Sequence, residues 1–117
     1  MVLQNHFEFV KTPEQLFEIL RQVDSRWLAV HLDVGSFRSR NPYEDIARVA
    51  PYAATWQIKE SVYFENEERR IDLEKMADIL HEADLRGYVL VETLGEGDPR
   101  VKVKRFFQEV SAAFGNS

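Results

Sequence analysis

The stretch WLAVHLDVGS at residues 27–36, followed by NPYE at 41–44, carries the pattern that decides the fold. An apolar run ends at Asp33, and a short polar segment separates it from Asn41 and Pro42. Asn is a favoured helix cap and Pro suits the first helical position, so a helix is predicted to begin there. A strand, a short loop and a capped helix together make one β-α unit.

Three further copies of this unit occur in the chain. The predicted strands are the apolar runs at residues 2–3, 27–32, 53–58 and 88–91. The predicted helix caps that follow them are Thr12, Asn41, Asp72 and Asp98. Continuously apolar runs are typical of parallel strands that are buried on both faces and joined by right-handed helical crossovers. We therefore predict one α/β domain over residues 1–117, with four parallel strands, helices mainly on one side, and a highly charged loop after the third strand.

Composition excludes several classes of protein. The chain has 117 residues, 44% of them hydrophobic, with 15 basic and 20 acidic residues and a formal net charge of -5. This balance argues against binding to nucleic acid or to an anionic membrane surface, because both need a basic surface. Cys is absent, which excludes disulfides and thiolate metal sites. No apolar run approaches the roughly 20 residues of a membrane span, and the first residues lack a signal sequence, so we expect a cytoplasmic protein.

Two architectures fit four β-α units. One is a small open sheet, and the other is half of a (β/α)8 barrel, which in full has about 250 residues. The half barrel is favoured because the chain begins inside its first predicted strand and contains four complete units and nothing else.

Polar side chains follow each predicted strand at the point where it ends. They are Gln4, Asn5 and His6; Asp33; Gln57, Lys59 and Glu60; and Glu92. Because the carboxyl ends of parallel strands meet at one edge, where α/β folds carry their chemistry, we expect a shared site. Alternation along a strand places Gln57 and Lys59 on one face, and leaves open whether His31 faces the barrel interior or the helices.

An ordered set of segments resembles a known family. LQNH at 3–6, LDVG at 32–35, NPYEDIA at 41–47, WQIKE at 56–60 and VETLG at 91–95 look like the C-terminal half of the sugar phosphate isomerase/epimerase family. These proteins are xylose isomerase-like TIM barrels, and the resemblance covers essentially the whole chain, as strands five to eight.

The resemblance implies a divalent-metal site whose ligands in the family are a Glu, an Asp, a His and a second Glu. Those positions fall on Gln4, Asp33, Gln57 and Glu92. Gln at two of them brings neither charge nor imidazole, so affinity for Mn, Mg, Co or Zn is expected to be weakened. Glu92 remains as a candidate base and Lys59 as a substrate contact. His6 is either a general acid, a partner for a sugar hydroxyl, or a surface-loop histidine.

Three functions follow from the resemblance. The first is a sugar phosphate isomerase/epimerase-like protein, a half barrel or fragment, that acts on or binds a sugar, a sugar phosphate or a sugar-derived ketone by metal-assisted proton transfer. The second is a non-catalytic carbohydrate-binding module with a degraded metal site. The third, an abasic-site endonuclease relative, is disfavoured by the net charge and the missing His ligands. A half barrel leaves two strand edges and its inner face uncovered, so we expect a homodimer, or pairing with an N-terminal half of the barrel.

Overall fold

Four parallel strands form one sheet, in the order in which they occur along the chain. The computed structural model describes residues 1–85 and 87–115. Its strands and helices in chain order are β1 (Val2–Gln4), α1 (Pro13–Val23), β2 (Ala29–Asp33), α2 (Pro42–Val49), β3 (Ala53–Lys59), β4 (Ser61–Phe64), β5 (Glu67–Arg70), α3 (Leu73–Glu82), β6 (Val89–Glu92) and α4 (Pro99–Phe114). The sheet has the order β1-β2-β3-β6, and each neighbouring pair is parallel. The predicted α/β class with a four-stranded parallel sheet is confirmed.

All four helices begin at the predicted caps. The cap side chains accept hydrogen bonds from backbone N–H groups: Thr12 from Gln15 at 3.2 Å, Asn41 from Tyr43 at 3.2 Å, Asp72 from Lys75 at 3.1 Å and Asp98 from Arg100 at 3.0 Å. Consecutive helices contact one another, α1 with α2, α2 with α3 and α3 with α4, as expected for a single helical layer. Right-handed crossovers between consecutive neighbouring strands place their helices on one face of the sheet.

The two faces of the sheet differ sharply. Val30, Leu32, Trp56 and Ile58 are almost completely buried, together with apolar residues of the helices. The residues that alternate with them along β2 and β3 are mainly polar and, except for the buried Asp33, only partly buried. Within the single chain, one face of the sheet is therefore less buried than the continuously apolar runs indicate. The runs look continuously apolar in part because Ala29 is only partly buried and Ala54 is exposed, and small side chains need little cover.

The charged segment after β3 is not a loop. Strands β4 and β5 form an antiparallel hairpin, with Phe64 opposite Glu67. Val62 of β4 is completely buried in the main core, so the hairpin is packed onto the α/β unit. The expectation of four β-α units and nothing else is wrong on this point. Glu65 in the turn has φ +59°, a region that favours Gly, so the sequence carries no ordinary hairpin signal there.

Two predicted strands begin later than expected. Trp27 and Tyr88 precede β2 and β6 and are 75% and 79% exposed. Among the described residues, no helix combines the length and apolar character needed to cross a bilayer.

Candidate functional site

The open face of the sheet, meaning the face without helices, collects polar side chains from all four strands. They are Gln4 of β1, His31 and Asp33 of β2, Thr55, Gln57 and Lys59 of β3, and Glu92 of β6. The register brings them level in pairs: Gln4 with His31, His31 with Thr55, Asp33 with Gln57, and Lys59 with Glu92. The structure thus gathers the four positions that the family resemblance selects, together with Lys59.

Asp33 is the buried centre of this group. Its side chain is completely inaccessible to solvent. Its Oδ1 accepts a hydrogen bond from the Gly35 backbone N–H at 3.0 Å, and its Oδ2 accepts one from the Ser36 hydroxyl at 2.7 Å. The Lys59 ammonium supplies the charge, with Nζ at 2.9 Å from Oδ2, and Gln4 Nε2 of β1 adds a longer contact at 3.4 Å. A carboxylate removed from water in this way needs such partners.

Lys59 bridges the two carboxylates of the site. Besides Asp33, its Nζ lies 3.5 Å from Glu92 Oε2, and Glu92 is more than one-third exposed. The Lys59 stem passes close to Gly35, where an added Cβ would lie 2.6 Å from Lys59 Cδ. Gly at position 35 therefore leaves room for the lysine to reach across the strand end.

A chain of hydrogen bonds joins the amides and the imidazole. The Gln57 amide donates to Glu92 Oε2, and its Oε1 accepts from Gln4 Nε2 at 3.3 Å. His31 Nε2 lies 3.1 Å from the same Gln57 oxygen, and His31 Nδ1 lies 2.6 Å from the Thr55 hydroxyl. A neutral imidazole protonated at Nε2 satisfies both contacts. His31, whose face the sequence left open, therefore lies on the open face.

Asn5 fixes the position of Asp33 through the backbone. Its side-chain amide donates to the Asp33 carbonyl at 2.8 Å, and its Oδ1 accepts from the Asp33 N–H at 2.8 Å. Asn5 is completely buried. From the sequence, Asn5 is predicted only to be one of several polar residues at a strand end. Its two hydrogen bonds join it to a residue 28 positions later, and such a contact produces no local sequence pattern.

Two of the predicted polar residues lie away from the cluster. His6 stacks on Phe7 with ring centroids 4.6 Å apart, and its Nδ1 accepts from the Glu8 N–H at 3.4 Å. Glu60 pairs with Arg70 at 3.1 Å and Lys102 at 3.7 Å. Gln57 and Lys59 share a face, as the alternation predicted, and Glu60 does not.

A cavity of about 320 Å³ opens beside the cluster. Its lining includes Lys59, Glu92, Gly35, Arg38 and Tyr63, the last from the hairpin. This volume is at the small end of the range of about 300–1,000 Å³ that is usual for small-molecule sites. Arg38 did not figure among the residues predicted from sequence, because it lies in the loop beyond the strand end.

Comparison of the chain with protein-family models and with curated proteins finds no match. The resemblance to sugar phosphate isomerases and epimerases therefore stays a prediction.

The arrangement does not fit a divalent metal ion. The Lys59 ammonium already stands between Asp33 and Glu92, and it would repel a dication placed there. The amide N–H groups of Gln57 and Gln4 donate to Glu92 and Asp33, and the Gln57 oxygen is already engaged by Gln4 and His31. Across residues 1–85 and 87–115, no three His, Asp or Glu side chains are grouped so as to hold a metal.

We predict that Asn5→Ala destabilises the protein by about 2 kcal/mol, because the buried Asp33 N–H loses its bond to Asn5 Oδ1 and the Asp33 carbonyl keeps only the longer bond from the Ser36 N–H, at 3.3 Å. Urea unfolding followed by Trp fluorescence measures the loss. Asn66→Ala, in the exposed hairpin turn, is the control and should change stability by less than about 0.5 kcal/mol. Equal, small effects of both variants would contradict the assigned role of Asn5.

We also predict that Lys59, more than the two glutamines, opposes metal binding. In calorimetric titrations with Mn²⁺ the natural chain should bind weakly or not at all. Gln4→Glu with Gln57→His restores the ligand types that the family resemblance implies, and adding Lys59→Met should tighten binding at least about tenfold further by removing the ammonium. Lys102→Met, added instead, is the control for charge. If neither set of variants gains binding, these positions do not form the implied metal site.

Proposed function

We propose that the carboxyl end of the open face binds a sugar or sugar-derived ketone and moves a proton at the carbon beside its carbonyl, as a sugar isomerase/epimerase does. The observation that carries the proposal is the position of the Lys59 ammonium beside the accessible carboxylate of Glu92, at the mouth of a cavity of ligand size. A cation next to a base is the pairing that this proton transfer needs.

Each residue then has a defined part in the reaction. The Glu92 carboxylate takes the proton from the carbon next to the carbonyl, so that the C–H bond breaks and a carboxyl O–H forms. The electron pair moves into the carbonyl group, and the Lys59 ammonium stabilises the negative charge that develops on oxygen. The hydroxyl proton of the resulting enediolate shifts to the adjacent former carbonyl oxygen. Glu92 returns its proton to the former carbonyl carbon, and the new carbonyl forms at the carbon that was deprotonated, which completes an aldose–ketose isomerisation. Gln4, Gln57 and His31 supply donors and acceptors for sugar hydroxyl groups.

The number of bases favours isomerisation over epimerisation. Epimerisation through two bases needs a second group on the opposite face of the substrate, and Gln4 stands where the family resemblance implies a Glu. Asp33 is not a substitute, because its side chain is buried and engaged by Lys59, Ser36 and Gly35.

A carbohydrate-binding module without turnover is the second candidate. Three neutral polar side chains, those of Gln4, Gln57 and His31, form a connected network on the open face. Such groups recognise hydroxyls without any need for a base. Binding of a sugar without proton exchange would favour this candidate.

We further propose that the sheet is half of a (β/α)8 barrel, completed by a second copy or by a separate N-terminal half. Support comes from the consecutive strand order, the single helical layer and the open face. The edge strands β1 and β6 expose apolar side chains on that face, Val2 and Leu90, each about half-exposed. Edges of this kind are suited to pairing with another sheet.

Proton exchange tests the chemistry directly. In D₂O with fructose or dihydroxyacetone, the protein should accelerate loss of the proton signal beside the carbonyl, as measured by NMR. Glu92→Gln should lower that rate at least about 100-fold because it removes the base. Glu96→Gln, on the exposed loop after β6, is the matched control and should leave the rate unchanged. Absence of both exchange and sugar binding would overturn the proposal.

Self-association tests the barrel. We expect a dimer in sedimentation equilibrium at micromolar concentration. Leu90→Lys, on the open face of an edge strand, should weaken it by placing a charge in the contact. Phe107→Lys, on the outer surface of α4, should not. A natural chain that stays monomeric at tens of micromolar would identify a self-sufficient open sheet instead.

A further inference from the structure

Arg38 differs from most other arginines of the protein in what holds its guanidinium. Several arginines form ion pairs with carboxylates within the chain: Arg21, Arg48, Arg69, Arg70 and Arg100. Arg38 instead lies against two aromatic rings, with Cζ 3.9 Å from the ring centroid of Tyr63 and 4.6 Å from that of Phe7. Within the described part of the chain it makes no ion pair, and its buried Nε has no hydrogen-bond partner.

The contacts of Arg38 fix its position without using its donors. Tyr63 belongs to β4 and Phe7 to the loop after β1, so two separate elements hold the guanidinium from outside its own loop. The Arg38 loop is itself fastened to the hairpin, because the Ser39 carbonyl accepts from the Glu65 N–H at 2.7 Å. Aromatic contacts orient the planar group through its face and leave its N–H edge for a ligand.

Arg38 lines the same cavity as Lys59 and Glu92. The other carboxylates of the lining have partners of their own: Glu60 pairs with Arg70 and Lys102, and Glu68 accepts from the Ser61 hydroxyl, also in the lining, at 2.8 Å. The Lys59 charge is shared between Asp33 and Glu92. Among the described residues, therefore, no carboxylate forms an ion pair with the Arg38 guanidinium, whereas the other cation of this cavity, Lys59, has two such partners.

We propose that Arg38 binds an anionic group, a phosphate or a carboxylate, carried by the ligand whose carbonyl end reaches Lys59 and Glu92. The guanidinium offers two parallel N–H donors, which match the oxygens of either anion. The claim that the same ligand reaches Lys59 and Glu92 rests on the proposed function. The anion site at Arg38 does not, since it requires no reaction. An anion site at Arg38 narrows the expected ligand to the anionic members of its class, sugar phosphates or sugar acids.

The net charge of the chain makes this site testable. At a formal charge of -5 the protein as a whole repels anions, so anion binding at constant ionic strength reports a local site. The probes are inorganic phosphate, fructose 6-phosphate, glucuronate and neutral fructose, each titrated by calorimetry. Fructose 6-phosphate should bind at least about tenfold more tightly than fructose if the anion is a phosphate, and glucuronate should show the advantage if it is a carboxylate.

Variants in one loop separate the site from general charge. Arg38→Met should weaken binding of the anionic probes about 10- to 100-fold, which is the usual loss for a charged hydrogen-bonding partner. Arg40→Met, two residues along and exposed, removes the same charge and should leave binding unchanged. Arg38→Lys keeps the charge but loses the paired donors, so its affinity for the anionic probes should lie between those of Arg38→Met and the natural chain. Thermal unfolding of each variant shows whether it is folded, and Arg38→Lys serves if Arg38→Met is not.

Two results overturn the inference: anionic probes that bind no better than fructose, or equal losses in the Arg38 and Arg40 variants. Glu92→Gln separates the inference from the proposed function, because it should abolish proton exchange, without burying an unpaired charge, while inorganic phosphate still binds. Phosphate binding without any exchange in the natural chain would leave the Arg38 site standing and reject the isomerase. Proton exchange on neutral ketoses, with no effect of Arg38→Met on the binding of any probe, would support the isomerase and reject the Arg38 site.

Discussion

The contact between the Lys59 ammonium and the Asp33 carboxylate is the interaction on which the polar end of the sheet depends. Asp33 is completely buried, and a carboxylate in that position is costly unless a cation and hydrogen-bond donors replace water. Gly35 and Ser36, directly after it in the chain, supply donors, but only Lys59 supplies charge. The pair joins the end of β2 to the end of β3. Removing the lysine would leave the buried Asp33 charge uncompensated and would therefore weaken this connection.

The same contact determines how Glu92 is presented. Lys59 reaches Glu92 only because its stem lies along Gly35, where a side chain would displace it. Glu92 is held by Lys59 and by the Gln57 amide, and both contacts, within the described residues, fall on Oε2. One oxygen is thereby fixed while the group keeps access to solvent. A base needs this combination of orientation and access.

Sequence predicts the local features of this fold well and the long-range ones poorly. Caps such as Asn41 and Asp98 depend on neighbouring residues, and they form as expected. The polar ends of parallel strands must meet at one edge, so the grouping of Asp33 with Glu92 was predictable. The Lys59 bridge and the Arg38 ring contacts were not, because each joins elements distant in the chain. The hairpin was missed because Glu65 occupies a turn position where Gly is the usual signal.

The character of the open face limits how a barrel can close. The interior of a complete barrel is normally filled by layers of bulky branched side chains. Here the carboxyl end of the face carries two carboxylates, one ammonium and several amides, and such groups need water or a polar ligand beside them. Among the described residues of the four strands, Val2, Leu90 and the small Ala29 offer apolar contact on that face. Two facing copies would therefore exclude water from their contact only near these residues. The polar end would remain filled with solvent, at the place where the cavity beside Lys59 opens.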